Sequence, residues 1–254
     1  MLKYPYRVIA IPLATLLLIA GAILYGTIIL PFRIYVLRKK SIEETRHAIS
    51  RGIKRYLGVL RFFNLLKLRV INYDKARDLE PVIFIANHPS IFDILFFISL
   101  FPTASCIAKK SLKNHSPYSL VVRWGNYITA KKDSNILDQA NKEISAGNSV
   151  IIFPEGTRSS KKFHLNGSGK YKFHRGAANL HLLSKTRIIP ITIKCSPLAL
   201  AKDQRWYEVP NKVCEVEMFF HTDFEFKKDH DHQYRTISSR TITQELEEFF
   251  EHNR

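Results

Sequence analysis

Residues 82–93 read Val82-Ile83-Phe84-Ile85-Ala86-Asn87-His88-Pro89-Ser90-Ile91-Phe92-Asp93. Five apolar residues without a charge predict a short buried strand. Pro89 suits the first turn of a helix, which places that helix over Ile91–Leu100 and His88 at its mouth. His88 and Asp93, five positions apart, lie about 140° apart around a regular helix. They can meet only if His88 stays outside the helix and folds back. The carboxylate would then accept a hydrogen bond from one ring nitrogen, leaving the other as an acceptor suited to a general base. Read alone, the same residues also fit a capping Asn87 beside a bystander histidine.

Working outward, short apolar segments alternate with helical ones. Strands are expected at Val82–Ala86, Ala104–Ala108, Tyr127–Ala130, Val150–Phe153, Ile188–Cys195 and Val213–Phe220. Helices are expected at Leu112–Arg123, around Asn135–Ala146, at Gly176–Ser184 and at Ser239–Glu251. The pattern implies a mixed α/β fold with a largely buried sheet flanked by helices. Open sheets of this class place their sites beyond strand ends. A second charged turn follows Val150–Phe153 there: Phe153-Pro154-Glu155-Gly156-Thr157-Arg158-Ser159. Gly156 permits close approach of a ligand, and the Arg158 guanidinium can hold two oxygens of a phosphate. Alone, this could equally be a surface turn with an ion pair.

The 254 residues carry a net charge of +17, which points to an anionic partner. Residues 1–80 hold +10 of it, and they also hold the longest apolar run, Val8–Leu30, 23 residues without a charge. As a helix this run is about 34 Å long, enough for a hydrocarbon core of about 30 Å. Lys3 and Arg7 precede it, and Arg33, Arg38, Lys39 and Lys40 follow. A cleaved signal peptide ending near Ala22 and a buried soluble helix are the alternatives to a membrane segment. The apolar run continues past Ala22 into positive charge, which favours the membrane segment. The flanking charges put the bulk of the chain in the cytoplasm. Residues 42–71 read as helical, and Leu57, Leu60, Phe63, Leu66 and Val70 recur at helical spacing among Arg61, Lys67 and Arg69. This predicts a basic amphipathic helix, lying on an anionic bilayer or packed on the domain. The three cysteines, Cys106, Cys195 and Cys214, show no metal or disulfide spacing and suit a reducing compartment.

The spacing of Asn87-His88 and Asp93 from Phe153–Ser159 resembles the glycerolipid acyltransferase family, whose best-known members are 1-acylglycerol-3-phosphate acyltransferases. Two lesser blocks stand in order: Gly125-Asn126-Tyr127-Ile128-Thr129-Ala130-Lys131, where the family usually ends in Arg, and Ile189-Pro190-Ile191. Lys110-Ser111-Leu112 and Phe173-His174-Arg175-Gly176-Ala177 also match. The resemblance covers roughly residues 80–195. With the apolar run and the basic helix, the expected division is 1–72 as membrane-anchoring helices and 73–254 as an acyltransferase domain. The resemblance implies His88 and Asp93 as catalytic, with Glu155, Gly156, Thr157, Arg158, Lys131 and Asn87 binding substrate. Acyl-CoA or acyl-carrier protein would be the donor, a lysophospholipid the acceptor, and no metal or cofactor would be needed. The place implied is a membrane facing the cytoplasm, as in a bacterial inner membrane. The basic stretch Arg158, Lys161, Lys162, Lys170, Lys172 and Arg175 would face anionic lipid.

Rival functions fit less well. A nucleic-acid-binding protein would explain the charge, but no recognised nucleic-acid motif is present. A metal hydrolase could use His88, Asp93 and Glu155, yet His115, His164, His174 and His221 lack ligand spacing. Within the enzyme class, the Ala-Asn-His-Pro-Ser form also resembles members acting on polyketide-like lipids, whose hydroxyl acceptor differs.

Overall fold

The computed structural model describes residues 3–38, 41–108, 110–114, 116–129, 136–159, 170–198, 212–227 and 235–253. Seven strands form one sheet: β1 Leu66–Ile71, β2 Ile83–Ala86, β3 Ser105–Ala108, β4 Ile128–Thr129, β5 Val150–Ile152, β6 Ile188–Ser196 and β7 Cys214–Phe220. Their order is β1-β7-β6-β2-β5-β3-β4, parallel throughout except for the antiparallel pair β6–β7. β2 is central, and all four of its residues are fully buried. A strand covered on both faces needs apolar residues at every position, which is why Ile83–Ala86 shows no alternation.

Two apolar layers sandwich the sheet. Phe84 and Ala86 face one layer, with Ile49, Leu57 and Leu60 from α2 (Ile42–Phe62) and Phe96 and Phe97 from α4 (Asp93–Leu100). Ile83 and Ile85 face the other, with Ile144 from α7 (Ile136–Ser145), Leu180 from α8 (Gly176–Ser184) and Leu246 from α9 (Arg235–His252). The Phe84 ring lies 4.5 Å from that of Phe101 and 6.0 Å from that of Phe220, so aromatic packing centres the first layer.

Three segments depart from expectation. The basic amphipathic helix is shorter: α2 ends at Phe62, and Leu66–Ile71 is a strand of the sheet. Asn64 takes a left-handed conformation (φ +50°), and Leu65 N–H bonds to Leu60 O at 2.8 Å, which closes the helix. The following residues alternate, with Lys67 and Arg69 exposed and paired to Glu215 and Glu217 on β7. Leu66 and Val70 fit a helical spacing as well as an alternating one, and the strand wins through its partner β7. Residues 66–71 therefore belong to the sheet, not to an anchoring unit ending at residue 72. Leu112–Arg123 is two helices, α5 (Lys110–Asn114) and α6 (Ser119–Trp124), separated by a stretch containing Pro117, which disfavours helix in the residue before it. Helix α4 starts at Asp93 rather than Ile91, so Pro89 lies in an irregular turn.

Helix α1 (Lys3–Leu24) continues through two π-helical turns, Tyr25–Ile29 and Phe32–Val36. Tyr6–Val36 is a 31-residue helical stretch long and apolar enough to cross a membrane by length and composition. One face is docked on the domain. The Trp124 indole N–H donates to Gly26 O at 2.9 Å, and the Tyr6 hydroxyl donates to Phe63 O at 3.1 Å. Gly26 and Gly52 admit close neighbours: a Cβ on Gly26 would lie 2.5 Å from Leu120 Cβ, and one on Gly52 2.6 Å from the Tyr25 ring. Ile9, Leu13, Leu16, Ile28 and Tyr35 are exposed.

A buried charge also shapes the fold. Arg46 of α2 is 1% exposed and grips Glu143 of α7 through two bonds of 2.9 and 2.8 Å. It also donates to the carbonyls of Thr103, Gly125 and Asn126. This bidentate pair holds the loop that opens the Gly125–Lys131 block.

Candidate active site

β2 lies between β5 and β6, parallel to both, so the three carboxyl ends meet at one edge of the sheet. The chain leaves β2 through Asn87. Ala86 pairs with Ile191, so the continuing β6 backbone at Ile193 needs a partner just past the end of β2. The Asn87 side chain supplies it: Nδ2 donates to Ile193 O at 2.9 Å and Oδ1 accepts Ile193 N–H at 2.7 Å. An amide carries one donor end and one acceptor end, as a peptide group does. Asn87 is 4% exposed, and both ends of its side chain bond to β6.

With the ladder finished by a side chain, the backbone is free to turn. His88 Nδ1 lies 2.8 Å from Asp93 Oδ2, and the same oxygen accepts Ser90 N–H at 2.8 Å. With Asp93 ionised, Nδ1–H donates to Oδ2, and a neutral ring then offers Nε2 as an acceptor. Asp93 is wholly buried at the first turn of α4, and burial pushes its carboxyl up. The hydrogen bond and charge of His88, the Ser90 amide and the charge of Arg158 pull it back. The His88 side chain is 17% exposed and stacks on Phe153 with ring centroids 4.2 Å apart.

Phe153 opens the second charged turn, which follows β5. Glu155 Oε1 accepts His88 N–H at 3.1 Å, and Ser159 N–H donates to His88 O at 2.9 Å. The Ser159 hydroxyl lies 2.9 and 2.8 Å from the two Glu155 oxygens. Burial raises the Glu155 carboxyl, while the Ser159 hydroxyl and the His88 amide lower it. Gly156 has φ +65°, and a Cβ there would lie 3.0 Å from His174 Cδ2. His174 N–H bonds Pro154 O at 2.8 Å, which brings the Phe173–Ala177 block to the same turn. Thr157 and Arg158 are half-buried, and Arg158 is near enough for its charge to act on Asp93.

The structure thus brings together His88, Asp93, Glu155, Gly156, Thr157 and Arg158. Lys131, Lys161 and Lys162 lie outside the described residues, while Lys170, Lys172 and Arg175 are exposed. Ser159, Phe153 and Ile193 received no role from sequence reasoning. Ser159 carried one signal, its place four residues beyond Glu155, but nothing local says that it bonds back to Glu155.

A sequence profile described as Acyltransferase matches residues 67–194, just over half of the chain. The chain belongs to the acyltransferase family. It is 27% identical over 172 residues to the 1-acyl-sn-glycerol-3-phosphate acyltransferase of Saccharomyces cerevisiae, covering 63% of this chain and 53% of that protein. It is 25% identical over 143 residues to human 1-acyl-sn-glycerol-3-phosphate acyltransferase beta, covering 54% and 49%. The chain spans about half the length of the curated relatives it matches. The crystal structure of the 1-acyl-sn-glycerophosphate (LPA) acyltransferase PlsC from Thermotoga maritima shares the fold. Its TM-score is 0.59 at 19% identity, over 94% of this chain and 97% of that one. The matched region begins at Lys67, inside β1, in keeping with a sheet that starts before residue 72.

Proposed function

We propose that the protein moves a fatty acyl group from a thioester donor to the free hydroxyl of a lysophospholipid. The donor is acyl-CoA or acyl-carrier protein, and the acceptor of choice is 1-acylglycerol-3-phosphate, acylated at sn-2 to give phosphatidate. The observation that carries this reading is the 2.8 Å contact between His88 Nδ1 and the buried Asp93, set beside Arg158 at the carboxyl edge of the sheet. His88 Nε2 takes the hydroxyl proton as the oxygen attacks the thioester carbonyl. The C–O bond forms, the C–S bond breaks, and the departing thiolate takes the proton back from Nε2. Asp93 stabilises the imidazolium in between. No nucleophilic serine or cysteine is needed when both substrates are bound at once. Gly156, Thr157 and Arg158 receive the phosphate end of the acceptor, with Lys131 as a further cation.

The exposed apolar face of Tyr6–Val36 seats the protein on a membrane. The other face is docked on α2 and α6, which supports a helix lying in one leaflet over a helix crossing both. The outer face of α2 and its C-terminal cap add Lys54, Arg55, Arg61, Phe62 and Phe63, all exposed, a mixture suited to an anionic interface. The sheet then faces the cytoplasm, as the flanking positive charge favours.

The test is mass spectrometry of the products formed by purified protein in detergent from an acyl-CoA or acyl-carrier protein and a panel of acceptors. Phosphatidate from 1-acylglycerol-3-phosphate is the expected product. Equal use of an uncharged hydroxyl lipid would overturn the acceptor assignment.

A further inference from the structure

The turn Phe153–Ser159 holds His88 from three directions. The Phe153 ring lies flat against the imidazole at 4.2 Å. Glu155 Oε1 accepts the His88 N–H at 3.1 Å, and the Ser159 N–H donates to the His88 carbonyl at 2.9 Å. Both backbone polar groups of the histidine are therefore occupied by one turn. The Ser159 hydroxyl, in a residue 3% exposed, reaches both Glu155 oxygens at 2.9 and 2.8 Å and fixes the carboxylate plane. Both oxygens of this carboxylate are thus engaged by the protein itself. It would also repel a phosphate, since both are anions.

We infer that Glu155 and Ser159 are positioning residues that clamp the backbone of His88, and that Glu155 does not hold the acceptor's phosphate. The inference rests on the acyltransferase reading of the site. His88 sits on an irregular turn rather than on a helix, so nothing periodic fixes it. Its imidazole can keep Nδ1 on Asp93 and Nε2 on the acceptor only if its backbone is held. The clamp supplies what α4, starting at Asp93, does not. Within one turn the roles divide: Glu155 and Ser159 serve the base, and Arg158 serves the acceptor.

The test compares Glu155→Ala, Glu155→Gln and Ser159→Ala in steady-state kinetics with both substrates varied. A base displaced by about an ångström costs about a hundredfold in rate. Glu155→Ala should therefore lower kcat by about that factor, with the acceptor KM within about twofold of wild type. Ser159→Ala should lower kcat by less. Glu155→Gln should recover most of the loss, because its oxygen can accept the His88 N–H and its NH2 can donate to Ser159. Carbethoxylation of His88 by diethyl pyrocarbonate, read by peptide mass spectrometry, reports on the turn without any acceptor. Its rate should change severalfold in Glu155→Ala and Ser159→Ala and stay near wild type in Glu155→Gln. A rise in acceptor KM with kcat preserved overturns the clamp. So does a Gln variant as damaged as the Ala variant in both measurements. Should wild type acylate no lysophospholipid, the proposed function fails and the carbethoxylation rates alone decide the clamp. Should Glu155→Ala not fold, Ser159→Ala and Glu155→Gln decide it in the same way.

Discussion

The His88 turn and the Tyr6–Val36 helix are held to the same domain by different physics. At the turn, nearly every constraint is a directed hydrogen bond between named atoms: Asn87 to Ile193, His88 to Asp93 and Glu155, Ser159 to His88. Along the helix, the attachment is packing through Gly26 and Gly52 with hydrogen bonds that include Tyr6 to Phe63, Arg55 to Tyr25 and Trp124 to Gly26, while the opposite face stays apolar and exposed. The two regions should therefore tolerate substitution differently. Hydrogen bonds demand particular atoms, so the turn should fail on single conservative changes. Apolar burial is non-directional, so the helix's outer face should respond to polarity alone.

The largest effect expected at the turn comes from Asp93→Asn. It keeps the shape, removes the charge that stabilises the imidazolium and unsettles the Nδ1 proton. The loss in kcat should be about a hundred- to ten-thousandfold, read in the phosphatidate assay. A loss of less than tenfold would show that the directed contact matters less than the comparison requires.

Arg158→Ala comes next and sharpens the contrast within the second turn. A charge-assisted contact is worth about 1.5–3 kcal/mol, so the acceptor KM should rise about ten- to a hundredfold with the donor KM nearly constant. Arg158→Lys should recover only part of this, because an ammonium lacks the guanidinium fork. A rise confined to the donor KM would move the phosphate site to the other substrate.

Gly156→Ala should lower stability by about 1–2 kcal/mol, because φ +65° strains any residue with a Cβ. The His174 ring in the same space should add a loss of turnover. Thermal melting reads the first effect and kinetics the second. An unchanged melting temperature would mean that the turn relaxes freely.

The smallest effect on turnover should come from the helix. Leu13→Glu with Leu16→Glu, both on the exposed face, should release the protein from anionic vesicles in flotation assays. Turnover in detergent should stay within about twofold of wild type. Retention on vesicles would assign the anchor to the aromatic and basic end of α2 instead.

Much of this arrangement was legible in the sequence. The central strand was visible because a doubly covered strand is a plain apolar run, and the two charged turns because each follows such a run. The meeting of His88 and Asp93 followed from letting the histidine lie outside the helix. Other features were hidden because their partners are distant in the chain. Leu66–Ile71 fits two periodicities, and only pairing with β7, almost 150 residues away, selects the strand. Arg46 reads as one more basic residue on an amphipathic helix until Glu143 is found beside it. Local sequence also cannot reveal that Asn87 bonds Ile193 or that Glu155 accepts the His88 amide.

His88, held by Asp93, is the proposed base for acyl transfer. The most direct test of this role is turnover of His88→Ala in the phosphatidate assay, with wild-type melting and vesicle binding as controls. The loss in kcat should be at least about a hundredfold, with both controls unchanged. Retention of more than about a tenth of wild-type turnover would contradict it.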